Sequence, residues 1–243
     1  MSFTRRNGRL CNQIIRNLAV SLITEKNNLY VDYYNKEIIE QLGIHLFVGE
    51  KKYDNIVPLT DDNYFTILHS NDLKSNLDAN ESFFQTKEIC DFLYNYLHRD
   101  DIKNNIIYKN PFKERYHNNN DLYVHIRLGD VVKYNPGINY YLYTISKISF
   151  HQLYLSTDCK DHFIIHQIMK QYPTTLLINS QEIPTIQFAS TCKHIILSHG
   201  SFSAIIGYLS FFSNIYYPEY EKDKIWYGDM FSIEGWNKIK IPK

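Results

Sequence analysis

The chain has 243 residues, with 26 Lys plus Arg against 26 Asp plus Glu, so its formal net charge is zero. That length suits one large domain or two small ones, and balanced charge without a long basic run disfavours nucleic-acid binding. Cys11, Cys90, Cys159 and Cys192 are scattered without metal-ligand spacing; no run is apolar and long enough to span a bilayer, and no signal peptide precedes the polar GRLCNQ, so a cytoplasmic protein with reduced thiols is expected.

In chain order, Phe3–Arg5 reads as a first strand and Asn7-Gly8-Arg9 as a turn. Leu10–Thr24 carries apolar residues at helical spacing, Asn27-Asn28 ends it, and Leu29–Tyr33 reads as the next strand. The opening is therefore a βαβ unit whose loop bends into a helix N-terminus. Asn35–Leu42 reads as a short helix, Tyr64–His69 as a strand and Phe83–Leu97 as a helix. Asp101 to Asn120 is polar, Asn-rich and broken by Pro111. A domain boundary is placed there, giving residues 1–118 and 119–243.

Leu122–Ile126 is a β-branched apolar run, read as a buried strand, and it leads into Arg127, Leu128, Gly129 and Asp130. Alternation puts His125 and Arg127 on one face. Beyond it, helices over Asn139–Ser149, Asp161–Gln171, Gln181–Ala189 and Phe202–Phe212 alternate with strands over Gln152–Ser156, Thr174–Ile178, Lys193–Leu197 and Ile215–Tyr217. That alternation predicts a parallel, doubly wound α/β sheet.

Three polar strand ends follow: Arg127–Asp130, Thr157-Asp158 and Ser198–Ser203. In a parallel sheet all three emerge on one edge, where open α/β folds bind ligands. Arg127 offers a fork of donors suited to phosphate or carboxylate, with Asp130 placed to hold it. Gly200, Ser201 and Ser203 at a helix start suit a phosphate cradle, in which the glycine lets a ligand approach the backbone. Taken alone, Arg127–Asp130 reads equally as a structural Arg–Asp pair, whereas GRLCNQ reads first as an ordinary helix entry and SHGSFS first as a serine cap. His162 and His166 lack the Glu of a zinc-hydrolase helix, Asp-x-Asp is absent, and so are G-x-S-x-G, the P-loop and G-x-G-x-x-G.

Taken together, GRLCNQ, HIRLGDVV, YLSTD and SHGSFSAIIGYLS resemble, in order and approximate spacing across nearly the whole chain, the fucosyltransferases of glycosyltransferase family 11. The resemblance implies a GT-B-like α/β fold of two Rossmann-like domains with a cleft between them, an acceptor-side domain followed by a nucleotide-sugar-binding one. It implies inverting transfer of L-fucose from GDP-fucose to a carbohydrate acceptor, alpha-1,2 linkage leading, without metal or other cofactor. By position, Arg127 would bind the donor diphosphate and stabilise the leaving GDP, with His125 near the nucleotide and Asp130 orienting Arg127. Ser201, Phe202 and Ser203 would hold the diphosphate, Asp158 would close the donor pocket, and Gly8, Arg9 and Asn12 would face the donor. The family commonly has Gly where Cys11 stands and a second Arg where Leu128 stands; Glu182 is the nearest match to its guanine-side carboxylate. Another nucleotide sugar, or a non-catalytic nucleotide- or glycan-binding module, are the alternative readings. Asp158, Asp130 and His199 are candidates for the general base, and Trp226 and Tyr227 for stacking on an acceptor sugar.

Overall fold

The computed structural model describes residues 1–5, 7–220 and 228–240; Trp226 and Tyr227 lie outside them. The described chain divides into two compact units, Met1–Lys109 with 228–230 and 110–220 with 231–240. The first unit thus ends earlier than the expected residue 118. Residues 110–118 pack with the second unit because Asn110 Nδ2 donates to Gln187 O (2.9 Å) and Arg115 pairs with Asp121 (2.8 Å).

The first unit contains β1 (Ser2–Phe3), α1 (Leu10–Asn27), β2 (Val31–Asp32), α2 (Lys36–Glu40), β3 (Ile56–Pro58), α3 (Tyr64–His69), β4 (Asn76–Asp78), α4 (Lys87–Leu97) and α5 (Asp100–Lys109). Its sheet is parallel, in the order β2-β1-β4-β3. Helix α1 stops where Asn28 takes a left-handed conformation, φ 53°, which Asn tolerates better than most residues. Two expectations fail here. Tyr64–His69 is a helix: Tyr64 and Leu68, four apart, are both buried, and the Tyr64 hydroxyl donates to Ala19 O of α1. Its aromatic and β-branched content favours a strand only until a neighbour offers a helical groove. The polar stretch after residue 100 begins as α5, with Asp100 and Asp101 at the positive end of its dipole and Ile106 buried.

The second unit contains β5 (Leu122–Ile126), α6 (Ile138–Ser146), β6 (Leu153–Thr157), α7 (Phe163–Gln171), β7 (Leu176–Leu177), α8 (Glu182–Ala189), β8 (His194–Ile196), α9 (Ser201–Tyr208), β9 (Asn214–Pro218) and β10 (Asn237–Ile239). The expected elements are present with shifted ends, and β10 adds an unforeseen edge. All six strands run parallel in the order β10-β9-β8-β5-β6-β7. Numbered from β5 as one, that is the Rossmann order 3-2-1-4-5-6 read from the far end. Every β5 residue is buried, as a central strand covered on both faces requires. Leu122, Val124 and Ile126 pack with Tyr140, Tyr141 and Ile145 of α6 and Ile164, Ile165 and Ile168 of α7. The order reverses between β5 and β8, so the crevice of this sheet falls at their carboxyl ends. All four cysteines are free thiols, and no helix among the described residues is long and apolar enough to cross a membrane.

Candidate functional site

The switch point gathers all three polar strand ends. Register pairs Ile126 with Thr157 and Val124 with Ile196, so Arg127, Asp158 and Ser198 leave the sheet side by side. The Arg127 guanidinium, 13% exposed, forms ion pairs with both Asp130 and Asp158. Asp130 is 59% exposed, whereas Asp158 is 25% exposed and more firmly held. One Asp158 oxygen also accepts the backbone N–H groups of Leu128 (2.8 Å) and Gly129 (3.2 Å). That carboxylate explains the glycine: a Cβ on Gly129 would lie 2.6 Å from Asp158 Oδ2. Close approach, not an unusual φ, excludes side chains there.

Gly200 shows the opposite case. Its φ is 86°, a left-handed value that favours glycine, yet a Cβ there would meet nothing within 4 Å. The space above the start of α9 is therefore open on the protein's side. The expected serine cap is absent: Gly200 holds the N-cap position and makes no side-chain bond. The first intrahelical bond runs from Ala204 N to Gly200 O (3.2 Å), so the N–H groups of residues 201–203 precede the helical ladder.

The hydroxyls divide between inside and outside. Ser203 is fully buried; its Oγ accepts from Ser198 N (3.0 Å) and lies 2.6 Å from His125 Nδ1. The Ser203 hydroxyl and His125 Nδ1 are thus hydrogen-bonded to each other inside the fold. Ser201 and Phe202 are half-buried, with the Phe202 ring 4.9 Å from that of His125. Ser198 Oγ accepts from Arg127 N (3.2 Å) and from the Tyr141 hydroxyl (2.9 Å), and lies 3.3 Å from His199 Nδ1. His199 Nε2 is buried without a hydrogen-bond partner among the described residues.

Burial, with Arg127 nearby, holds both imidazoles neutral: His125 is pushed down to about 3 and His199 to about 4. Folded-state values below the unfolded value mean stability is complete above about pH 6.5 and is lost as pH falls toward the folded values. The unfolding free energy should therefore drop by up to about 1.4 kcal/mol per histidine per pH unit below about pH 6. Denaturant titration from pH 7 to pH 5 measures this, and His125→Gln should make the slope shallower.

In the first unit, the loop after β1 lies where that sheet reverses between β2 and β4. Gly8, φ 78°, packs so closely on Asn12 that a Cβ would sit 2.8 Å from Asn12 Cβ. Asn12 Oδ1 accepts from Gln85 Nε2 (2.9 Å), Gln13 Nε2 donates to Gly8 O (2.9 Å), and Arg9, exposed, is the N-cap residue of α1. Arg16 was not singled out from the sequence. Fully buried, it donates to Asn7 O (2.9 Å) and twice to Ser82 O (3.1 Å), bracing this loop. A cation amid Ile14, Ile15 and Leu18 on an apolar helix was the available signal. Asn135 and Tyr141, beside Arg127, were also missed; Tyr141 resembled ordinary core. Glu182 is exposed in the first turn of α8.

No family model and no curated protein matches the chain. Among solved structures, it is similar to the alpha-1,6-fucosyltransferase NodZ, in crystals soaked with GDP-fucose, with TM-score 0.50 and 11% identity over 86% of this chain and 92% of that one. A fucosyltransferase NodZ structure from Bradyrhizobium aligns with TM-score 0.40 and 13% identity, over 64% and 58%. The first likeness is one of fold: an α/β chain of the GT-B type with two Rossmann-like units.

Proposed function

We propose that the protein is a glycosyltransferase that moves L-fucose from GDP-fucose to a sugar hydroxyl, with inversion and without a metal. The observation that carries this reading is Arg127 at the switch point of a Rossmann-ordered sheet, beside an open helix start. A nucleoside diphosphate fits that edge because helix N–H groups and a guanidinium both favour a dianion. The GDP-fucose-soaked fold neighbour and the motif order support the choice of donor.

Of the two carboxylates on that guanidinium, Asp130 is the more exposed. A diphosphate therefore takes the place of the exposed Asp130, while Asp158 continues to orient Arg127. The acceptor oxygen then bonds to the anomeric carbon as the bond to the β-phosphate oxygen breaks, and the electron pair leaves with GDP. Negative charge grows on that oxygen, where Arg127 and the first N–H groups of α9 stabilise it; one such donor is typically worth about 3 kcal/mol. The acceptor's proton passes to a base for which no residue is assigned.

The motif resemblance favours an alpha-1,2 linkage, whereas the fold neighbour is an alpha-1,6 enzyme. Incubation with a panel of GDP- and UDP-sugars and a glycan array, with and without EDTA, should give GDP-fucose-dependent product insensitive to EDTA. Turnover with a UDP-sugar alone, or only with added divalent metal, would reject the donor or the metal-free chemistry respectively. Linkage analysis of the product decides the regiochemistry.

A further inference from the structure

We infer that Tyr141, through Ser198 and Asn135, is a positioning residue for Arg127. The β5 ladder ends at Ile126, paired with Thr157, so Arg127 is the first residue whose backbone the sheet does not hold. Two side chains replace the missing ladder. Arg127 N donates to Ser198 Oγ (3.2 Å), and Arg127 O accepts from Asn135 Nδ2 (2.8 Å). Both side chains meet on one buried phenol: Tyr141 donates to Ser198 Oγ (2.9 Å) and accepts from Asn135 Nδ2 (2.9 Å). Asn135 Oδ1 accepts from Gly137 N (2.9 Å), so the amide is fixed in one orientation. The network fixes both peptide planes flanking the Arg127 Cα, and with them the direction in which its side chain leaves the strand end.

The Tyr141 ring is fully buried in the core, so Tyr141→Phe keeps the packing and deletes only the oxygen that joins the two arms. Tyr140 supplies the control. It is equally buried on the same helix, but its hydroxyl donates to Leu197 O (2.8 Å), and Tyr140→Phe leaves the Arg127 bracket intact.

The functional consequence rests on the proposed diphosphate role of Arg127, so the test has two arms. In the ligand-free protein, exchange of the Arg127 amide hydrogen, followed by NMR, should quicken about tenfold or more in Tyr141→Phe relative to Tyr140→Phe. By calorimetry, Tyr141→Phe should bind GDP about tenfold more weakly, with guanosine affinity unchanged, while Tyr140→Phe stays within about twofold for both. Equal exchange rates in the two variants would overturn the bracket. Faster exchange with unaltered GDP affinity would overturn its positioning role. Absence of GDP binding by the unmodified protein would instead remove the donor reading, leaving the exchange arm to judge the bracket alone.

Discussion

Arg127→Ala is expected to lower fucosyl transfer by about 10²–10³-fold, and to weaken GDP binding in parallel, without unfolding the chain. The guanidinium is the cation the strand end contributes to the site, and it sits at the reversal of strand order rather than inside the core. Its removal leaves Asp158 attached to the N–H groups of Leu128 and Gly129, so the turn keeps its anchor. Arg127→Lys should fall between alanine and the native residue, since lysine keeps the charge but loses the two-pronged fork. Circular dichroism, GDP calorimetry and turnover on one preparation separate these effects. Native-like turnover by the alanine variant would end the mechanism.

Substitutions at the two aspartates should move GDP affinity in opposite directions. Asp158→Ala strips the acceptor from two backbone N–H groups and the better-held partner from Arg127. The expected loss is about 3 kcal/mol of stability and a melting temperature lower by roughly 6–12 °C, with weaker GDP binding. Asp130→Asn touches a carboxylate that is 59% exposed, so stability should change by no more than about 0.5 kcal/mol. It removes a negative charge that competes with the diphosphate, so GDP should bind several-fold more tightly, roughly five- to tenfold at low salt. That gain should shrink as ionic strength rises and the Debye length contracts. Calorimetry of both variants at low and high salt reads the contrast. Weaker GDP binding in both would make Asp130 a required partner rather than a displaceable one.

Both outcomes depend on which polar groups face outward, and this is where the sequence and the tertiary structure part. The motif SHGSFS announces a helix start with spare hydroxyls. Only packing shows that Ser203 is consumed by Ser198 N and His125, while the backbone beside Gly200 stays open. Gly129 and Gly200 look alike in a sequence, but one accommodates a carboxylate at van der Waals range and the other a left-handed φ. Arg16 in α1 and Tyr141 in α6 occupy ordinary helical positions, and among their polar partners Ser82 and Ser198 lie 66 and 57 residues away along the chain.

The sequence by itself determined the alternation of strand and helix in the second unit, the central place of Leu122–Ile126, and the convergence of three polar strand ends. Those features follow from local periodicity and from the rule that parallel strands share an exit edge. It did not determine that Tyr64–His69 is helical, that α5 exists, or where residues 110–118 belong. Each of these depends on a long-range partner: Ala19 O for Tyr64, the core around Ile106, Gln187 O for Asn110. Nor did it determine that Arg127 pairs with two aspartates at once and is gripped at both ends of its backbone. Hydrogen-bond partners are chosen by distance in space, and local sequence encodes that distance only along a single helix, strand or turn.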